Sequence, residues 1–290
     1  MTESTNAEIG PELRWHAPGY MPSERRLRDL LKRAIGVPHL LKRLQMGDIL
    51  RALALKTHEV TLDFGCGQGY MTYEMAWRSR KAYGLDILEN RRFVPARLAD
   101  RIEFVTARGE RTPFASETFD VILMSEVALM IDEPLLFFKE VARILKPTGR
   151  IVLVSLVDWR TIRRDYETGG GVVRVMRAFG WAPRDHQEYI ARLLESFGTA
   201  LRHVLPREYY ERVLAECGFA IQETTFSPSA AAQSLFERIQ FVLLCLGRRT
   251  YGRHYFALYP FFKLIDRLRP EPRGTGCIMV ARRIAQPSDA

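Results

Sequence analysis

The chain has 290 residues, of which 47% are hydrophobic and 27% charged. That balance excludes a disordered or fibrous protein and leaves room for one large α/β domain with insertions, or two modest domains. The formal charge of +9 and the pI of about 9.6 favour acidic partners, namely anionic lipid surfaces, phosphorylated substrates or nucleic acid.

The basic residues form no tract. Short pairs occur at Arg25-Arg26, Arg163-Arg164 and Arg248-Arg249, so a generally basic solvated surface explains the charge as well as a dedicated anion site does. Cys66, Cys217, Cys245 and Cys277 form no CxxC pair. Neither a metal site nor a disulfide framework is expected, which points to a reducing compartment. The N-terminal MTESTNAEIGPEL lacks the charged-then-apolar pattern of a signal peptide, and no apolar run reaches the ~18 residues of a membrane span. A cytoplasmic protein is expected, with contact to the inner face of a membrane left open.

Residues 1–22 hold Pro11, Pro18 and Pro22 and read as an irregular lead-in. Ser23 is the expected N-cap of a helix from Glu24 to Ile35, with Leu27, Leu30, Leu31 and Ala34 on one face. Gly36 and Pro38 break it, and a second helix is expected from His39 to Ala54. These helices (1–56) should cap the domain C-terminal to them. Strands are then expected at Glu59–Phe64, Lys81–Leu85, Ile102–Thr106, Phe119–Met124 and Arg150–Leu156. Helices fall between them at Tyr70–Ser79, Asn90–Asp100 and Glu133–Leu145. This alternation over 57–157 indicates a parallel sheet with helices on both faces. A further helix Arg207–Cys217 and strand Phe219–Thr225 (206–226), then a last strand Gly276–Ala281 (273–290), complete a seven-strand set. Residues 158–205 and 227–272 are too long for simple connections and should carry their own helices and a function.

The informative segment is Leu62-Asp63-Phe64-Gly65-Cys66-Gly67-Gln68-Gly69-Tyr70. A strand ends at Asp63 or Phe64, a glycine-rich turn comes next, and a helix opens near Tyr70. Glycines let the backbone turn sharply and approach a ligand closely, and ligands on such sheets bind beyond the carboxyl ends of the strands. A G-x-G-x-G turn alone is weak evidence, because dinucleotide-binding proteins also use glycine-rich turns. Asp63 before the turn would repel a pyrophosphate and attract an ammonium group. Asp86, ending the next strand, can accept from both ribose hydroxyls, a feature shared with NAD-binding folds.

LDFGCGQG resembles the first motif of class I S-adenosylmethionine-dependent methyltransferases, LDxGCGxG. The resemblance runs through most of 58–156. Glu110-Arg111-Thr112-Pro113-Phe114 followed by Phe119-Asp120-Val121-Ile122 is similar to the family's AExLPF and FDxV segment. Ser125-Glu126-Val127, then Leu145-Lys146-Pro147-Thr148-Gly149, is similar to later motifs. The resemblance implies a Rossmann-like, doubly wound, seven-stranded and mostly parallel α/β fold, with helical insertions forming a lid. It implies S-adenosylmethionine as cofactor. Asp63, Gly65, Cys66, Gly67 and Gly69 would form the turn around its amino-acid end, and Ser125 would lie near the methionine portion. Asp86 would hold the ribose, Ile87 would pack on adenine, and Arg108 and Gly109 would edge it. The family often has an acidic residue where Arg108 stands. An arginine cannot accept from the adenine amino group, so backbone groups would read adenine here.

No general base is evident, because Leu129 and Met130 fall where the family often has a histidine pair. Glu126, His186, His203 and His254 are the candidates. The methyl group sits on a sulfonium, so transfer by in-line displacement depends mostly on positioning, and a base is needed only if the acceptor must lose a proton. In 227–272 an apolar helical stretch is followed by Arg248, Arg249, Arg253 and His254, then by the aromatic run Tyr255–Phe262. This reads as a lid with an apolar inner wall and a basic rim, suited to a small-molecule or lipid-like acceptor and to peripheral membrane contact through 235–268. The same helices could simply bury their faces on the core. An RNA methyltransferase, a non-catalytic cofactor-binding protein and a nicotinamide-dependent oxidoreductase are the competing readings. No RNA-binding module or (D/N)PPY motif supports the first.

Overall fold

A computed structural model describes residues 16–17, 19–36, 39–89, 93–156, 160–197, 206–247, 257–268 and 276–284. Its centre is a seven-stranded sheet: β1 (Val60–Phe64), β2 (Lys81–Asp86), β3 (Ile102–Thr106), β4 (Phe119–Ser125), β5 (Leu145–Leu156), β6 (Phe219–Phe226) and β7 (Gly276–Arg283). The strand order is β3-β2-β1-β4-β5-β7-β6. All pairings are parallel except those of β7, which runs antiparallel to both β5 and β6. The expected Rossmann-like α/β sheet is therefore present.

Period-two alternation sorts the central strands into two cores. Leu62, Phe64, Ile122, Met124, Ile151 and Leu153 pack on one face, with Phe137, Phe138 and Val141 of α4 (Pro134–Ile144) and Leu214 of α8 (Arg207–Glu216). Val121, Leu123, Val152 and Val154 pack on the other. There they meet Met46, Ile49 and Leu53 of α2 (Leu40–Leu53) and Met71, Met75 and Trp77 of α3 (Tyr70–Arg78). Each fully buried side chain of this kind contributes about 1.5–3 kcal/mol. A one-residue slip would exchange the faces, so the register is well specified.

Local chemistry shifts several boundaries. The first helix, α1 (Arg26–Ile35), starts two residues late. Ser23 does not cap it; the Ser23 N–H instead donates to Asp29 Oδ1 at 2.8 Å. His39 caps α2, its Nδ1 accepting from the Lys42 N–H at 3.2 Å. The helix expected over 90–100 is replaced, among the described residues, by one 3-10 turn at Ala96–Leu98. Pro95 has no N–H to give and holds the preceding residue away from helical geometry. β5 begins at Leu145 rather than Arg150, with its pairing to β4 irregular between Phe119 and Val121.

The first long connection carries α5 (Arg160–Thr168), α6 (Gly171–Ala178) and α7 (His186–Phe197); the second carries α9 (Ala230–Cys245) and α10 (Tyr259–Leu268). Leu40 and Leu44 of α2 pack with Ala232 and Phe236 of α9 and Phe262 of α10. Ile162, Val173, Met176, Tyr189 and Leu193 pack on Phe241 of α9. α9 is therefore wedged between two apolar clusters. Between them, Gln233, Glu237 and Gln240 lie on one arc of α9 and are almost fully buried. The expected apolar inner wall of the lid is thus interrupted by a polar stripe. No described helix is long and apolar enough to cross a membrane.

Candidate active site

The site lies beyond the carboxyl ends of β1, β2 and β4. The backbone turns at Gly65 with φ +70°, at Gly67 with φ +51° and at Gly69 with φ +88°, conformations that favour glycine. Each glycine has a distinct reason. A Cβ on Gly65 would come within 2.4 Å of Val127 Cγ2, whereas one on Gly67 would meet nothing within 4 Å. Gly67 therefore presents open backbone, and Gly65 lets the turn pack against the segment after β4. Gly69 is the N-cap residue of α3. Cys66 is buried in the turn, and its N–H and that of Gly65 both donate to the Leu85 carbonyl, at 2.9 and 2.8 Å.

Asp86 closes the turn from the neighbouring strand. Its Oδ2 accepts from the Gly67 N–H at 2.7 Å, and its Oδ1 from the Leu88 N–H at 3.0 Å. A carboxylate has about four acceptor positions, so hydroxyl donors can still be received. Ile87 beside it is 67% exposed, an apolar surface next to a hydrogen-bonding one. Asp63 is buried, and one of its oxygens accepts from Thr72 Oγ at 2.6 Å.

Motif reading misses Lys42. From α2 its ammonium reaches Ser125 Oγ at 2.7 Å and Glu126 Oε1 at 3.9 Å. Burial lowers the Lys42 pKa, opposed by the carboxylates of Glu126 and Asp63. The signal is present in the helical wheel. Lys42 falls on the same arc as Met46, Ile49 and Leu53, the residues α2 turns to the sheet. Glu126 itself sits at φ +62°, with its N–H bonded to the Val154 carbonyl at 2.8 Å. A non-glycine residue there costs on the order of 1–3 kcal/mol. Nearby at the end of β5, Ser155 Oγ donates to the Tyr210 hydroxyl at 3.0 Å, and burial raises that phenol to about 12. Tyr210 and Ser155 are also missed, being brought together only by the fold.

The remaining expected residues divide. Arg108 is largely exposed and pairs with Glu110 at 3.6 Å. Gly109 is a packing position: a Cβ there would lie 2.9 Å from the Phe137 ring. His186 opens α7 beside Tyr166 and Tyr189, and burial lowers its pKa. Its neighbours are those of the insertion cluster and include none of the strand-end carboxylates. His203 and His254 lie outside the described residues. No group of three or more potential metal ligands occurs among the described residues.

The pattern described as a methyltransferase domain matches residues 62–153. Ubiquinone biosynthesis O-methyltransferase of Parvibaculum lavamentivorans is 30% identical over 132 residues, 44% of this chain and 50% of that relative. Demethylmenaquinone methyltransferase of Clavibacter sepedonicus is 34% identical over 122 residues, 40% of this chain and 50% of that relative. The chain thus spans about half the length of these curated relatives. An uncharacterized methyltransferase of Schizosaccharomyces pombe is 24% identical over 251 residues, 83% of this chain and 85% of the relative. Among solved structures, a chain from the complex of the Haloferax volcanii Trm112 methyltransferase activator with a methyltransferase has a TM-score of 0.50 at 14% identity. That match covers 85% of this chain and 92% of that one, a likeness of fold alone. Residues 62–153 thus form a methyltransferase domain of the class I, S-adenosylmethionine-dependent kind, carried on the matching seven-stranded fold.

Proposed function

We propose that the chain transfers a methyl group from S-adenosylmethionine to a small-molecule or lipid-like acceptor. One observation carries the reading. A cation and two carboxylates, Lys42, Asp63 and Glu126, gather at one end of an open glycine turn whose other end holds Asp86. That arrangement suits a ligand with a zwitterionic amino acid at one end and a ribose at the other. Lys42 and Ser125 would take the carboxylate, and Asp63 would attract the ammonium. Asp86 would accept from the ribose, with Ile87 against adenine and the Arg108–Gly109 backbone at its edge. The bound sulfonium supplies a leaving group, and the chain's task is alignment. Glu126, with 28% of its side chain exposed against 2% for the Asp63 residue, is the carboxylate open to an acceptor's proton.

Relatives named ubiquinone biosynthesis O-methyltransferase and demethylmenaquinone methyltransferase support an acceptor with a polar head on an apolar body. The insertion helices fit that description. Gln233 Oε1 finds no hydrogen-bond partner among the described residues, although its Nε2 donates to Glu237 at 3.1 Å. Calorimetry with S-adenosylhomocysteine and with NAD tests the cofactor. Binding of the first alone is expected, and Asp63→Ala with Asp86→Ala should abolish it. Transfer of labelled methyl to phenolic or quinol-like acceptors tests the acceptor class. Binding of NAD in place of the homocysteine product would sink the proposal.

A further inference from the structure

α1 is built inside out. Its charged side faces the protein: Asp29 accepts from the Tyr20 hydroxyl at 2.7 Å, from the Ser23 N–H at 2.8 Å and from Arg33 Nε at 3.0 Å. The Arg33 guanidinium also lies 5.4 Å over the Tyr20 ring. Its apolar side faces outward. Leu27, Leu30 and Leu31 are 73%, 53% and 54% exposed, and Ala34 is exposed with them. At spacing i, i+3, i+4, i+7 these four form one stripe. Arg26 and Arg28 are exposed on its two flanks, and Arg25 precedes it. The helix contains one acid, Asp29, and that acid is turned inward.

We infer that α1 is a docking helix for an anionic lipid surface, its leucines entering the interface and its arginines meeting the head groups. Three observations favour lipid over another protein. The arginines flank the leucines on both sides, the arrangement in which long cationic side chains reach head groups while the stripe enters the acyl boundary. The helix's one acid is removed from that face, so the outward charge within the helix is of one sign, and exposed Glu24 just before it is outnumbered by Arg25, Arg26 and Arg28. The stripe is also too small to sustain a dimer, which needs ~1,200 Å² of total buried surface. A second apolar stripe lies close by. Arg43 of α2 donates to the Ile35 carbonyl at the end of α1 and stacks 4.2 Å over the Tyr259 ring at the start of α10. α10 leaves Phe261, Leu264 and Leu268 exposed, with Lys263 and Arg267 exposed on the same helix. The inference is independent of the methyl-transfer reading, because it uses none of the residues assigned to the cofactor.

The test is co-sedimentation of the full chain with vesicles of phosphatidylcholine alone or mixed with phosphatidylglycerol. Binding to the mixed vesicles, weakened by salt, is expected, with little to phosphatidylcholine. Leu27→Glu with Leu31→Glu should lower the partition coefficient roughly tenfold or more. Arg26→Gln with Arg28→Gln should lower it less and reduce the salt dependence. These residues are exposed, and circular dichroism checks that the variants fold. No binding to either vesicle would overturn the inference, as would binding that the leucine variants leave intact. So would self-association of the chain, removed by those same variants, in place of vesicle binding.

Discussion

The ammonium of Lys42 lies 2.7 Å from Ser125 Oγ, although the two residues are 83 positions apart. α2 is therefore part of the site's wall. Lys42→Met removes a charge-assisted partner and should weaken S-adenosylhomocysteine binding roughly 10- to 100-fold, about 1.4–2.8 kcal/mol. Lys42→Arg should recover part of it. Burial lowers the Lys42 pKa, so the charge is lost as pH rises, before the ordinary lysine range is reached. Wild-type affinity should accordingly fall in the alkaline range, and the Met variant should lack that limb. Calorimetry across pH reads both; an unchanged affinity in Lys42→Met would remove the residue from the site.

Beside its apolar packing on the sheet, α2 is tethered at its C-terminal end by a buried ion pair. Arg150 Nη1 meets Glu59 Oε1 at 2.7 Å, and both residues are almost fully buried. The same guanidinium donates to the carbonyls of Leu53, from Nε at 2.9 Å, and Ala54, from Nη2 at 2.9 Å, at the end of α2. Arg150→Met leaves Glu59 buried without its partner and should cost about 3–5 kcal/mol. Adding Glu59→Leu should restore much of that stability but not the tether to α2. Urea denaturation would show the recovery. S-adenosylhomocysteine affinity should stay reduced in the double variant, which separates stability from positioning.

A second polar cluster fixes the segment between β3 and β4. Glu140 Oε1 accepts from the Thr112 N–H and hydroxyl at 2.8 and 2.6 Å, and Glu140 Oε2 from Arg143 Nε at 2.8 Å. Although burial raises its pKa, the Arg143 and Thr112 bonds outweigh that and bring it to about 2. A carboxylate lowered in the folded state stabilises it above the unfolded pKa, and that contribution is lost as pH falls from 4.5 towards about 2. Glu140→Gln should be less stable than wild type at neutral pH by about 1–3 kcal/mol and lose less on acidification. Thermal denaturation at several pH values would show parallel curves if the cluster contributes nothing.

Much of this architecture is legible in the residues. The alternation of Leu62 and Phe64 with Thr61 and Asp63 marks a two-faced strand, and LDFGCGQG marks the turn. Other features are hidden for physical reasons. Lys42 resembles an ordinary helical lysine because its partner is distant in sequence. The bond that the Gly67 N–H donates to Asp86 depends on β1 and β2 being neighbours, and the tight fit at Gly65 depends on the placement of Val127, far along the chain. The stripe on α1 reads as a core-facing one, since amphipathicity gives the period of a helix and not the side that packs. On α9, helical periodicity cannot show that Gln233, Glu237 and Gln240 are enclosed between two apolar clusters.

Gly65 and Gly67 should separate folding from binding. Both have positive φ, so alanine at either carries backbone strain on the order of 1 kcal/mol or more. At Gly65 the new methyl would also strike Val127 at 2.4 Å, so the turn or the segment after β4 must move. Gly65→Ala should therefore lower stability by several kcal/mol, near the whole stability of an ordinary domain. Gly67→Ala should carry the strain alone, because a methyl there meets no protein atom within 4 Å. Its effect falls on the ligand, which would find a methyl group over the backbone it must approach. Gly67→Ala should fold with a modestly lower Tm and bind S-adenosylhomocysteine at least roughly tenfold more weakly, about 1.4 kcal/mol. A well-folded Gly67→Ala with native affinity would mean that the cofactor does not lie against this turn, and the assignment of Asp63 and Asp86 to its two ends would fall with it.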